Sequence, residues 1–340
     1  MNVPVIAFFN NKGGVGKTSL VYHLSWMYAD LGYRVVAADL DPQANLTSAF
    51  LDDDRLEELW SDSNHAQTIY GSIGPLIQGT GDITSPHLEY VDEPTLFGSS
   101  IALLVGDLQL SNFENELSEV WPKCLEGNPR AFRVTSAFWR IIQLAAEQHR
   151  ANVVLMDLGP NLSAINRAAL IAADYVVVPL SPDLYSLQGL HNLGPTLRRW
   201  HVEWKERLAK NNTSHLQLPP GTMKPVGYIV LQHAVRMDRP VKAYDRWLAQ
   251  IPGDYRTYVL DKSPHQVSNI TVTSDPYQLA LLKDYRILMP LAQEARKPMF
   301  HLRPADGAIG SHLQAVQSAY LDFETLARKI AEDTGISPSA

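Results

Sequence analysis

The stretch Asn10-Asn11-Lys12-Gly13-Gly14-Val15-Gly16-Lys17-Thr18-Ser19 holds the densest chemistry in the chain. An apolar run, Val3 to Phe9, precedes it, and a segment with helical periodicity comes after it. A strand, a glycine-rich turn and a helix start in that order turn successive backbone N–H groups inward and add the partial positive charge of the helix N-terminus. That is a cradle for phosphate. Lys17 is placed to reach the β- and γ-phosphates and the Thr18 hydroxyl to ligate Mg²⁺; Gly13, Gly14, Val15, Gly16 and Ser19 are the other expected contacts. One departure stands out. The pattern G-x-x-x-x-G-K-[ST] asks for glycine at position 11, where this chain has Asn11, and a second lysine, Lys12, lies inside the loop.

A phosphate cradle needs carboxylates nearby to hold the metal ion and the attacking water. Two candidates end the next apolar run, Arg34 to Asp39, which continues as Asp39-Leu40-Asp41-Pro42-Gln43-Ala44-Asn45. The intervening segment repeats Leu20, Leu24, Met27 and Leu31 at helical spacing and closes on Gly32. Strand, helix and strand of this size make the building block of a parallel sheet, and ligands of open α/β sheets bind at the strand ends where Asp39 and Asp41 lie. A third carboxylate, Asp157, closes the apolar run Val153 to Met156; a buried strand would deliver it to the edge where Mg²⁺ needs an oxygen partner.

The loop with its extra lysine resembles the deviant Walker A motif of the ParA/MinD family of dimerising ATPases, and its closest likeness is to the ParA (Soj-like) partition branch. The resemblance covers most of the chain outside residues 51–130. It implies that Lys12 reaches across a subunit interface to the partner's nucleotide. The run from Asp39 to Asn45 is similar to the family's switch I, which implies that Asp41 positions or activates the attacking water and that Asp39 supports the Mg²⁺ shell. At switch II the family reads Asp-x-Pro-Pro, whereas this chain reads Asp157-Leu158-Gly159-Pro160, a glycine that lets backbone approach the γ-phosphate. Ser181 to Leu190 resembles the segment between switch II and the next helix. Gln232, ending a strand at 224–232, sits where many members place an amide against adenine. The resemblance implies an α/β fold, a doubly wound, mostly parallel sheet with helices on both faces, binding ATP and Mg²⁺. The implied partners are a second copy of the chain, non-specific DNA and a ParB-like or adaptor protein.

Composition limits the alternatives. At 340 residues, 45% hydrophobic and 19% charged, the chain can bury a sizeable core. We read residues 1–340 as one ATPase domain with an acidic, insertion-like region at about 51–130. Cys124 is the sole cysteine, so neither an intrachain disulfide nor a cluster shared through paired thiolates, as in nitrogenase-type reductases, is available. No leader and no apolar run of membrane-spanning length is visible, and the cytoplasm is the expected compartment, with nucleoid association if DNA is bound. Residues 41–130 carry 16 acidic against 3 basic side chains, and residues 191–303 carry 17 basic against 9 acidic. The second segment suggests a basic face for an anionic polymer, with Arg198, Arg199, Arg236, Arg239, Lys242 and Arg246 as candidate DNA contacts. Two other classes compete. A MinD-like membrane-cycling switch would want lysine and arginine on the polar face of the C-terminal helix at 312–332, which is close to neutral. An ATP-dependent amide- or ring-forming ligase would show a second substrate pocket. No N/T-K-x-D motif of guanine readers is present, so ATP is the expected nucleotide.

Periodicity predicts helices over Val134–Arg150, Asn161–Ala173, 111–121 and 239–250, strands ending at Asp107, over Tyr175–Pro179 and over 255–260, and a kink or first turn at Pro195. Trp200 and Trp204 at helical spacing read as core or interface residues.

Overall fold

The computed structural model describes residues 2–62, 64–91, 100–231, 241–263, 271–285 and 287–338, with backbone alone for 241–244. The elements run β1 (Val5–Phe8), α1 (Lys17–Asp30), β2 (Val35–Asp39), α2 (Asn45–Phe50), α3 (Asp53–Ser61), α4 (Ile69–Ile77), β3 (Glu89–Tyr90) and β4 (Ile101–Leu104). They continue with α5 (Phe113–Lys123), α6 (Pro129–Thr135), α7 (Ala137–His149), β5 (Val153–Asp157), α8 (Ala164–Ile171), β6 (Tyr175–Leu180) and α9 (Leu184–Leu208). The last are β7 (Lys224–Leu231), α10 (Val241–Asp254), β8 (Gln278–Leu282), α11 (Leu288–Ala295) and α12 (Ser311–Thr334).

One eight-stranded sheet, ordered β3-β4-β2-β5-β1-β6-β7-β8, organises them. Among the described residues all pairings are parallel except β3 with β4. The central strands are apolar throughout because helices cover both faces. Val5 and Ala7 of β1 face one layer, with α4 to α9, while Ile6 and Phe8 face the other, with α1, α11 and α12. This is the doubly wound α/β fold that the motifs implied. Within it α12 lies along α1, with Phe323, Leu326 and Ile330 buried and the Tyr28 hydroxyl donating to Ala327 O at 3.0 Å.

Several elements depart from their sequence reading. Residues 255–260 form no strand; Tyr255–Val259 is a π-helical turn continuing α10, which itself runs on to Asp254. The alternation of Tyr255, Thr257 and Val259 imitated a strand. Its partner in an αβ alternation is instead β8, further on, a short strand paired parallel to β7. The helix expected over 134–150 is two helices parted at Ser136, whose hydroxyl donates to Phe132 O at 2.7 Å and competes with the backbone ladder. Of the two readings of Pro195, the first turn does not hold, since the residue lies inside α9. Residues 161–163 stay outside α8 as loop. The acidic region contributes β4, a full member of the parallel sheet beside β2. Trp200 and Trp204 are both buried in the core.

Candidate nucleotide site

The register of the sheet places the reactive groups before any loop is considered. Asp39 and Asp157 are the last residues of β2 and β5 and sit opposite each other in the ladder, and Phe8, the last residue of β1, is level with Asp157 on its other side. The loop leaving β1 therefore opens beside both carboxylates. Its turn needs Gly14 at φ 71° and Gly16 at φ 80°, the left-handed region where only glycine is unstrained. Gly16 begins α1 with no side-chain cap, so the first N–H groups of the helix face the loop without a partner from that residue. A Cβ at Gly16 would stand 2.8 Å from Leu231 Cδ1, which shows how closely the loop packs on the end of β7.

Lys17 is buried and leans back over the loop, its Nζ 3.4 Å from Lys12 O. Burial lowers its pKa, and the Asp157 and Asp41 carboxylates oppose that shift. The Thr18 hydroxyl donates to Asp157 Oδ2 at 2.7 Å, which leaves its lone pairs free. Asp157 Oδ1 is buried and has no hydrogen-bond partner among the described residues. Burial, reinforced by the charge of Asp39, raises the Asp157 pKa; the Thr18 bond and Lys17 pull it down. Asp39 is raised by burial as well, although Thr47 opposes the shift through its N–H and its hydroxyl, both 2.8 Å from Oδ2. Asp41 accepts from Gln43 N at 3.0 Å through Oδ1.

An orphaned carboxylate oxygen beside a hydroxyl with free lone pairs fits a hard dication, whose charge would also hold these crowded carboxyl groups ionised. Thr18 and Asp157 can hold Mg²⁺ directly. Both oxygens of Asp39 are engaged within the chain: one serves Thr47 and the other accepts from Asp41 N at 3.2 Å, so its bonds tie β2 to the start of α2.

The surroundings of Asp41 and Lys12 complete the site. A Cβ on Gly159 would lie 3.2 Å from Asp41 Oδ1, so this glycine is the wall behind Asp41. Lys12 forms an ion pair with Asp183, the residue that caps α9 by accepting from Ser186 N at 2.9 Å. In the sequence Asp183 stood only within the Ser181 to Leu190 run, with nothing to pair it with Lys12. A cavity of about 890 Å³ opens from Gly13, Lys17, Thr18 and Asp41 toward Leu231, Leu282, Tyr285, Met289 and Phe323. Its apolar end, supplied by β8, α11 and α12, has room for a base. Gln232, Arg236 and Arg239 lie outside the described residues, and for Lys242 only the backbone is described. Of the other basic candidates, Arg199 and Arg246 are exposed, whereas the Arg198 guanidinium turns inward to Tyr258 O at 2.7 Å and Val259 O at 3.2 Å.

Residues 3–210, more than half of the chain, match the AAA domain family. The chain belongs to the ParA/MinD family of ATPases, in its partition branch. The chromosome-partitioning ATPase Soj of Thermus thermophilus is 30% identical over 203 residues, 60% of this chain. A ParA family protein of Chlamydia trachomatis is 31% identical over 193 residues, 56% of this chain. The chain spans less than two thirds of the length of the curated relatives it matches: 65% of Soj, 64% of the chlamydial protein and 44% of IncC of Escherichia coli. Among solved structures, a Corynebacterium diphtheriae protein superposes with a TM-score of 0.71 at 22% identity, covering 98% of this chain and 99% of that one. A Borrelia burgdorferi plasmid partition protein bound to AMPPNP gives 0.57 at 16% identity, with the same coverage. At these identities the two structures show a shared fold.

Proposed function

We propose that this chain is a Mg²⁺-dependent ATPase of the partition type, in which ATP closes a homodimer, the closed dimer holds DNA or a partner protein, and hydrolysis resets it. The observation that carries the reading is the convergence of Lys17, the Thr18–Asp157 pair and Asp41 on the uncapped head of α1, at the polar end of a cavity large enough for a nucleotide. Residues 1–340 act as one ATPase domain in this proposal, working in the cytoplasm.

Each residue has its own share of the work. The loop N–H groups and Lys17 take the β- and γ-phosphates, and Lys17 neutralises charge as it moves onto the leaving oxygen. Mg²⁺ held by Thr18 and Asp157 would supply electrostatic stabilisation of the phosphates. Asp41, backed by Gly159, orients the water in line. Lys12 exchanges Asp183 of its own chain for the γ-phosphate on the partner subunit, so the dimer depends on that phosphate. A cation already paired close to the loop needs a competing anion to leave, and ATP provides one where ADP does not. Exposed basic side chains such as Arg199 and Arg246 then hold DNA through its phosphates, without reading sequence. The test is ATP binding and turnover by two variants. Lys17→Ala should lose nucleotide binding, and Asp41→Ala should bind ATP and barely hydrolyse it. Wild-type turnover by Asp41→Ala would remove the role given to that carboxylate.

A further inference from the structure

The backbone behind Asp41 is itself held by a chain of contacts. Gly159 is that wall, and its carbonyl accepts from Asn166 Nδ2 at 2.8 Å. The same amide lies 2.6 Å from Asn161 O and 2.8 Å from Asn161 Oδ1, so one buried side chain gathers the whole switch II turn. Asn166 is in the first turn of α8. That turn is capped twice. Ser163 Oγ accepts from Asn166 N at 3.3 Å, which is an ordinary local cap. The second cap comes from another element: Glu114 of α5 accepts from Ala164 N at 2.6 Å and Ile165 N at 2.9 Å, one carboxylate oxygen to each. A carboxylate suits a helix N-terminus electrostatically and satisfies two of its orphan donors. Because it is anchored elsewhere, it also fixes where the helix head stands. The backs of α5 and α8 share one core, with Phe113 and Leu117 buried on one side and Ile165 and Ala168 on the other.

We propose that Glu114 is a positioning residue for switch II, acting through the first turn of α8 and the Asn166 amide to set Gly159 against Asp41. The proposal rests on the reading of Asp41 as the group that orients the attacking water. It assigns the acidic region, whose α5 carries Glu114 and which contains none of the nucleotide motifs, a part in setting the hydrolysis rate.

The test uses the full chain with Glu114→Ala, Glu114→Gln and Asp41→Ala, reading steady-state ATP hydrolysis, ATP binding and amide hydrogen exchange across 159–171. In Glu114→Ala, kcat should fall roughly tenfold or more with KM for ATP unchanged, since small displacements near the reacting atoms are enough for such losses. Exchange at Ala164 and Ile165 should rise. Glu114→Gln, which keeps one acceptor oxygen, should recover part of kcat; if the alanine variant does not fold, an intermediate kcat at unchanged KM in the glutamine variant carries the result. A Glu114→Ala protein with parental kcat and faster exchange at the helix head overturns the relay, as does a parallel loss of kcat and ATP binding that glutamine does not mend. An Asp41→Ala protein that turns over at the parental rate overturns the underlying reading of Asp41, whereas an inactive Asp41→Ala beside a fully active Glu114→Ala overturns the relay alone.

Discussion

Three carboxyl groups, Asp39, Asp41 and Asp157, meet one ammonium, Lys17, and all four residues are buried. Desolvation dominates there, and it raises Asp39 and Asp157 above the ordinary carboxylate range. The consequence for stability has a definite sign. A carboxyl with a raised folded pKa binds more protons when folded, so folding stability is lost as pH rises from about 4, the unfolded carboxylate value, upward through neutrality. In nucleotide-free, cation-free protein these two groups should therefore lower stability as pH rises toward neutrality, while depressed carboxyls such as Asp82 and Glu89 act in the opposite sense. Asp157→Asn should gain thermal stability relative to its parent over that range, which calorimetric melting of the two proteins side by side reads. Thr47 meets Asp39 with two donors, and its hydroxyl also accepts from Gly106 N at 2.8 Å. Thr47→Val leaves buried groups short of partners and should cost about 1–3 kcal/mol in urea denaturation. Gly159→Ala should act on chemistry rather than folding. Its methyl presses on Asp41 Oδ1, so turnover should drop more than ATP affinity, measured side by side in one preparation.

At the level of elements, one buried ion pair anchors the far half of the sheet. Arg256, in the π-helical turn after α10, bonds Asp275 at 2.6 and 2.7 Å, and the Tyr228 hydroxyl of β7 donates to the same carboxylate at 2.8 Å. Arg256→Ala strands a buried carboxylate and should cost roughly 3–5 kcal/mol by denaturant unfolding, while replacing both charges with apolar residues should recover much of it. This pair also shows where sequence reading stops. Lys17, Asp39 and Asp157 were legible because each sits at a strand end or helix head, a position set by local pattern, and Asp41 because it follows the end of β2 by two residues. Residues 255–260 were misread because alternation of tyrosine, threonine and valine satisfies a strand as well as a helical turn packed on α9. Asp275, which decides between them, is 19 residues from Arg256. The same holds for Glu114 on the head of α8 and for Asp183 beside Lys12. Both are contacts between distant segments that no window of sequence contains. β8 escaped notice because a five-residue strand in a mixed apolar stretch has no periodicity to distinguish it.

For the molecule as a whole, the sheet order sets the logic. β1 lies between β5 and β6, so the phosphate loop opens centrally with Asp157 on one side and the Ser181–Asp183 turn, holding Lys12, on the other. Among the described residues no helix is long and apolar enough to cross a membrane. In α12 the apolar side from Val316 onward is committed to the core. The basic excess of 191–303 is the remaining large-scale feature, and closing a dimer would double it. ATP-bound Asp41→Ala protein should retain random duplex DNA in a filter assay, with affinity falling linearly in log–log against salt; ADP-bound protein should not. The proposed DNA surface depends on ATP-dependent dimerisation through Lys12, which sedimentation velocity reads. Asp41→Ala protein should run as a dimer with ATP and as a monomer with ADP, and adding Lys12→Ala should return it to monomer with ATP. A Lys12→Ala, Asp41→Ala protein that dimerises with ATP as fully as its parent would mean that Lys12 does not make the dimer.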